Sequence, residues 1–292
     1  MTTQAVSRDV LEAACAVVGL DGSGAVPVRL AENEIWRLPR GVIVRIARSG
    51  QAEAAQREVQ VAAWLAQHEV PAVRLHDVPQ PQSVHGRPVT FWAELPPHEP
   101  GSPLNIAALL KRLHSLSPPD FDIGTLDPFV RIAERIDAAS TLSEDDKRWL
   151  QERRAALLEQ WRHRPAGMAA SVVHGDAWAG NVVRTATGPV MLDLERFSIG
   201  PPEWDLVSTA VKLTTTGAVT AAEYAEFCHA YGTDVTAWAG YELLASIREL
   251  RMTTYAAQHA ATRPEWRDQA QHRVDCLRGR LGPRPWHWRG IA

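Results

Sequence analysis

Cysteine is scarce: Cys15, Cys228 and Cys276 are the only three, odd in number and far apart. That excludes a disulfide framework and a four-cysteine zinc site, and it points to a reducing compartment. Charge of one sign is missing too, with 31 Lys and Arg against 34 Asp and Glu for a net charge of -3. Without a basic field to gather polyanions, neither nucleic acid nor an anionic membrane is an expected partner. Long hydrophobic runs are absent as well. The first apolar run, residues 10–20, carries Glu12 and is too short to span a bilayer, and Met1-Thr2-Thr3-Gln4 brings no basic charge. The expected location is the cytoplasm. Lysine occurs only at 111, 147 and 212, so arginine supplies nearly all the positive charge. There is no internal repeat and no low-complexity tract.

What is present is the composition of a packed protein, 45% hydrophobic and 22% charged over 292 residues, a length that suits two lobes. Residues 7–20 have helical spacing with Ser7 as the expected N-cap, and Asp21-Gly22-Ser23-Gly24 ends them. Strands are predicted over 26–30, 34–38 and 42–47, the last two joined by Pro39-Arg40-Gly41. A helix is predicted over 52–68, broken at Val70-Pro71, then an extended run near 72–75. Val84-His85-Gly86-Arg87 reads as a turn into a strand over 88–95. After the cluster Pro96-Pro97-His98-Glu99-Pro100-Gly101 the pattern turns helical, over 103–115, 129–139, 144–162 and several stretches between 205 and 280. One strand-like segment, 171–199, interrupts it. The lobe boundary is therefore expected near residue 95, giving lobes 1–95 and 96–292.

The interrupting segment carries the chemistry. Val172-Val173-His174-Gly175-Asp176-Ala177-Trp178-Ala179-Gly180-Asn181-Val182-Val183 sets an Asp and an Asn five residues apart between β-branched pairs, and Asp193 and Glu195 follow at a strand end. One carboxylate can orient or accept the proton of an attacking hydroxyl. A carboxamide oxygen and a second carboxylate are hard ligands for Mg²⁺, a set that suits phosphoryl transfer. Singly, each residue has a plain reading as a turn residue or, for His174, a core histidine. The ordered set is far more specific.

With these residues in place the chain resembles the aminoglycoside phosphotransferase family, relatives of protein kinases that phosphorylate hydroxyls on small molecules. The resemblance covers most of the chain. It rests on His174-Gly175-Asp176 with Asn181, on Asp193 and Glu195, and on Gly200-Pro201-Pro202-Glu203-Trp204-Asp205-Leu206. It implies an α+β, protein-kinase-like two-lobed fold, with a small antiparallel-sheet N-lobe that binds nucleotide and a larger, mainly helical C-lobe for catalysis and acceptor binding. It further implies Asp176 as the catalytic aspartate, Asn181 and Asp193 as metal ligands and Asp205 as a carboxylate bracing the loop. Glu195 and His174 stand as supporting residues.

A kinase-like N-lobe needs a cation on the third strand and an acidic residue on the following helix to grip the phosphates. Arg45 and Glu58 are the candidates. Glu58 shares a helical stripe with Val61, Ala62 and Leu65 and so points toward the sheet. Arg45 departs from the lysine of protein kinases, and a solvent-facing strand arginine is its plain alternative. There is no G-x-G-x-x-G loop; Gly22 and Gly24 read as turn residues, and Asn33 in Ala31-Glu32-Asn33 is the side chain expected over the phosphates. Trp92-Ala93-Glu94-Leu95 is the expected hinge that pairs with the purine edge, for ATP or GTP alike.

The acceptor wall is expected after Asp205. From 206 to 292, eight Asp and Glu face ten Lys and Arg, a balance that argues against a highly cationic acceptor. Trp178, Trp238, Trp266, Trp286 and Trp288 offer stacking surfaces, Trp178 foremost. The expected activity is transfer of the γ-phosphoryl of ATP or GTP, with Mg²⁺, to a hydroxyl of a small molecule, an antibiotic first of all. The alternatives are a metabolic kinase of choline, homoserine or sugar type and a catalytically silent nucleotide-binding protein. A protein kinase is disfavoured because no Ala-Pro-Glu signature follows Asp193. Nothing in the residues fixes the oligomeric state.

Overall fold

A computed structural model of the chain describes residues 3–30 and 33–290. It divides into two compact units. The first holds the described residues up to Gly101 with Ser117–Gly124 and Ala179–Phe197; the second holds Ser102–Leu116, Thr125–Trp178 and the chain from Ser198 onward. The division is not the single cut near residue 95 read from the proline cluster. Residues 179–197 return to the first unit because backbone bonds tie them there: Met191 accepts from Val73 N at 2.9 Å and donates to Pro71 O at 2.9 Å.

In the first unit, α1 (Thr3–Val17) precedes a five-stranded antiparallel sheet of β1 (Val26–Leu30), β2 (Glu34–Leu38), β3 (Val42–Ile46), β4 (Gln82–Val84) and β5 (Arg87–Ala93), in the order β1-β2-β3-β5-β4. Strict alternation sends Trp36, Leu38, Val42, Val44, Ile46, Val89 and Phe91 into one core with Val10, Leu11 and Ala14 of α1. Helix α1 starts before Ser7, so Ser7 is no cap; it is buried at 2% exposure inside the helix. The turn at His85 and Gly86, with φ of 50° and 74°, joins β4 to β5. The short β4 was not legible as a strand. Helix α2 (Ala52–Gln67) carries the buried stripe Ala55, Glu58, Val59, Ala62, Leu65. The extended run near 72–75 contributes only single bridges, Ala72 with Met191 and Leu75 with Trp92. β6 (Glu99–Pro100) later pairs with a hairpin of the same unit described below.

The second unit begins with α3 (Pro103–His114), capped by Ser102 in a reciprocal pair with Asn105. The helix expected over 129–139 is only α4 (Ile132–Asp137), because Arg131 takes a left-handed φ of 63° and Asp127 bonds Phe129 N at 2.8 Å, holding 127–131 as a turn. α5 spans Glu144–Arg162, as the spacing predicts. β7 (Ser171–Val173) leads into the hairpin β8 (Val182–Thr185) and β9 (Gly188–Met191) of the first unit, where β8 pairs with β6. β10 (Ser198–Gly200) returns beside β7. α6 (Glu203–Thr214), α7 (Ala221–Tyr231), α8 (Tyr241–Ala260) and α9 (Arg267–Leu277) complete the unit. Among the described residues no helix is long and apolar enough to cross a membrane.

Candidate active site

Alternation along β3 buries Val42, Val44 and Ile46 and turns Arg45 to the opposite face. There its Nη1 donates to both oxygens of Glu58, at 2.5 and 2.6 Å, and its Nη2 donates to Glu195 Oε2 at 2.8 Å. The Arg45 side chain is 18% exposed and that of Glu58 7%, so Arg45 is no solvent-facing strand arginine. Glu195 lies in the 3-10 turn Leu194–Arg196, which the chain enters through Asp193 at a φ of 54°. Asp tolerates this left-handed conformation better than most residues. Leu192 N donates to Asn181 O at 2.8 Å, which closes the β8–β9 hairpin and keeps Asn181 and Asp193 at the same end of it.

Two carboxylates therefore hold one guanidinium, and the charge of Asp193 adds to theirs. Burial above all, with Asp193 and Glu195 adding to it, pushes the Glu58 carboxyl up to about 7 against the opposing pull of Arg45. Burial also works against the Arg45 charge, but Glu58, Glu195 and Asp193 outweigh it and hold the guanidinium above its ordinary value. A carboxamide and a carboxylate are hard donors that fit Mg²⁺. Among the described residues no cluster of three or more His, Cys, Asp or Glu forms a metal cage. Mg²⁺ characteristically takes one or two carboxylates and completes its shell with water and phosphate, so Asn181 and Asp193 fit it.

In the second unit, the loop after β7 is built around Asp205 in the first turn of α6. Its carboxylate, fully buried, accepts from His174 N at 2.7 Å, from Gly175 N at 2.9 Å and from His114 Nε2 at 3.1 Å. Burial pushes its pKa up, but the hydrogen bond from His114 first of all, with the nearby Arg248 guanidinium, outweighs this and holds it below the usual carboxylate value. Gly175 takes a φ of 81°, where a side chain would be strained, and its carbonyl accepts from Trp204 Nε1 at 2.9 Å. His174 is fully buried, and its Nδ1 accepts from Asp176 N at 3.3 Å.

Asp176, at the open end of this loop with its side chain 37% exposed, meets a residue that sequence reasoning missed. Arg248 of α8 donates to Asp176 Oδ1 at 3.2 Å, to Gly175 O at 3.3 Å and to Trp204 O at 3.0 Å, with its guanidinium 3.9 Å from the Trp204 ring. Burial lowers its pKa, with Asp176 and Asp205 opposing. Its signal was available: Arg248 follows Leu244 by four and Ala245 by three on the buried stripe of α8, the spacing argument that singles out Glu58.

Other expectations fare unevenly. In the segment expected to be the hinge, Ala93 N donates to Arg74 O at 2.9 Å and Glu94 N to Gly41 O at 2.8 Å, so both amides are already bonded. Trp92 is buried, with its Nε1 bonded to Thr90 Oγ1 at 2.9 Å. Leu95, half-buried past the strand end, remains. Asn33 sits half-buried in a bend; Ala31 and Glu32 lie outside the described residues. Val26, Val28 and Leu30 of β1, not singled out from sequence, are each about half exposed; a register shift between Pro27 and Arg29 puts Val26 opposite Arg37 and Leu30 opposite Glu34, so these two lie on different faces of the sheet. Trp288 is buried, Trp286 stacks on it with centroids 5.2 Å apart, and Trp238 Nε1 bonds Ala166 O at 2.8 Å. Trp266 is half-buried in a 3-10 turn. Trp178 keeps an open ring, 41% exposed.

The model of the phosphotransferase enzyme family matches residues 29–244. Among solved structures, the chain is similar to the aminoglycoside phosphotransferase APH(3'')-Id from Streptomyces rimosus, 19% identical with a TM-score of 0.63, covering 86% of this chain and 99% of that one. It is similar to the amicoumacin kinase hAmiN in complex with AMP-PNP, Ca²⁺ and Ami, 14% identical with a TM-score of 0.68, covering 93% and 96%. It is also similar to the choline kinase LicA from Streptococcus pneumoniae, 14% identical with a TM-score of 0.63, covering 94% and 99%. At these identities the likeness is one of fold, that of protein-kinase-like small-molecule kinases. No curated protein gives a sequence match.

Proposed function

The chain belongs to the phosphotransferase enzyme family, and on that premise we propose that it transfers the γ-phosphoryl of ATP or GTP to a hydroxyl of a small molecule with Mg²⁺. Asp176 orients the acceptor hydroxyl and takes its proton as the P–O bond forms. The observation that carries this reading is the loop that holds Asp176: Asp205 locks its backbone and Arg248 fixes its carboxylate through Oδ1. Arg45 grips the α- and β-phosphates, and its second anchor on Glu195 fixes the guanidinium plane as well as its position. Asn181 and Asp193 would hold Mg²⁺, which would supply neutralisation of charge on the phosphates. Val26, on the face of the sheet that Ile35 and Arg45 share, supplies apolar cover for a purine, and Leu95 the remaining hinge amide.

The acceptor proposed first is a hydroxylated antibiotic, the class on which two of the three structural neighbours act. The test is a screen of hydroxylated antibiotics and metabolites with ATP and with GTP, read by mass spectrometry for an added phosphoryl group. With an accepted substrate, Asp176→Asn should lower kcat by roughly 10² to 10⁴ while leaving nucleotide affinity near wild type. A variant that keeps more than about a tenth of kcat would remove Asp176 from that role. Nucleotide binding without transfer to any acceptor would return the silent nucleotide-binding reading.

A further inference from the structure

The second unit holds a cation with no hydrogen-bonded counter-charge beside the loop that carries Asp176. Lys212 lies in the last turn of α6, seven residues after Asp205 and on the same side of the helix. Its Nζ is 5.8 Å from the centroid of the Trp178 ring. Among the described residues no carboxylate, carbonyl or hydroxyl oxygen accepts a hydrogen bond from it. The C-terminal end of α6 favours a cation, but only through partial charges.

Its surroundings make that cation harder to keep. Burial lowers the Lys212 pKa most, Arg273 and Arg248 push the same way, and Asp176 alone opposes them. Arg273, 4% exposed, donates to the carbonyls of Met252 and Arg289 and meets no carboxylate. Arg248 shares Asp176 and the field of Asp205. An ammonium removed from water with only an aromatic ring and a carboxylate already shared with Arg248 to offset it costs stability, and two nearby guanidiniums add to the cost. A neutral side chain would fit the packing of α6 at lower cost. A cation behind an open aromatic ring is what a flat ligand bearing negative charge requires.

We propose that Trp178 and Lys212 form an acceptor subsite for an anionic group: the acceptor is a hydroxylated carboxylate or phosphate ester whose ring or apolar face lies on Trp178 while its negative oxygens meet Lys212. Only the word acceptor rests on the phosphotransferase reading. The subsite disfavours polycationic aminoglycosides and choline, since a quaternary ammonium over Trp178 would face the like charge of Lys212.

Three probes share one phenol ring and differ in charge: 4-hydroxyphenylacetate, its amide and tyramine. Their Kd values are measured on the full chain without nucleotide, by calorimetry or ligand-observed NMR. The anion should bind about tenfold tighter than tyramine, with the amide between them. Lys212→Met, and Lys212→Gln as a second neutral variant, should bring the three to within about twofold, while Lys212→Arg keeps the order. Trp178→Ala should weaken all three. Melting temperatures of the neutral variants at or above wild type would separate loss of charge recognition from loss of fold. A wild-type preference for tyramine, undetectable binding of the anion, or an unchanged anion-to-cation ratio in both neutral variants overturns the proposal. The last outcome would assign Lys212 to another anion, such as the transferring phosphoryl group. Because no nucleotide is present, failure here leaves the transfer assay standing, and failure of transfer leaves the charge preference standing.

Discussion

At the scale of single residues, Arg45 shows how a departure from the usual lysine is accommodated. An ammonium is a compact point charge, whereas the guanidinium fork lets one side chain hold Glu58 through Nη1 and Glu195 through Nη2 at once. Arg45→Ala should therefore weaken nucleotide binding and also release two carboxylates into mutual repulsion. Removing Glu58 afterwards relieves that repulsion, so the Arg45→Ala, Glu58→Ala double variant should lose less than the sum of the singles, with a coupling of about 0.5 to 3 kcal/mol. Arg45→Lys should keep part of the affinity but couple to only one of the two glutamates. Titrations of the four proteins with nucleotide decide it, and strict additivity would return Arg45 to an isolated strand residue.

At the scale of elements, α6 sets a carboxylate at its first turn and an ammonium at its last, each at the helix end whose dipole favours it. The Asp205 pKa is lower folded than the ordinary 3.8, so its contribution to stability is present above about pH 4 and lost as pH falls below. Asp205→Ala should cost about 3 to 5 kcal/mol near neutrality, because two backbone amides and His114 lose their acceptor. Denaturant unfolding at pH 7, 5 and 3 should show that cost shrinking at the lowest pH; a constant cost would mean that the carboxylate charge contributes nothing. Elements of this kind were legible where a short-range pattern decides them. Alternation gave β2 and β3 nearly residue for residue, and the stripe through Val61 and Leu65 gave the inward turn of Glu58. What was not legible depends on long-range partners or on backbone the pattern does not record. Arg45 meets Glu195 across 150 residues of chain, α4 is cut short by the left-handed Arg131, and the hinge amides are taken by Arg74 and Gly41 from separate segments. Arg248 was missed for the same reason: its stripe was readable, but its partner Asp176 lies 72 residues away.

Over the whole molecule the formal charge is only -3, yet it is sorted. In the first unit Arg45 stands among Glu58, Asp193 and Glu195, a surplus of negative charge; in the second, Lys212, Arg248 and Arg273 outnumber Asp176 and Asp205. The first surplus calls for a cation and gives a prediction whose sign reverses between the ligand-free and ligand-bound protein. Asp193→Asn keeps a residue type that tolerates the φ of 54° and removes one of the charges that push Glu58 up. Without ligand this variant should melt at or above wild type, since like-charge repulsion falls. With Mg²⁺ and ADP at about a hundredfold over Kd, wild type should gain about 2.7 kcal/mol, a rise of about 5 °C in Tm for a chain of this length. Asp193→Asn should lose most of that rise, while ADP with chelator should shift both proteins equally little. A ligand-free Asp193→Asn that melts well below wild type, together with an undiminished Mg²⁺-dependent shift, would place the metal on other residues and leave Asp193 a purely structural turn aspartate.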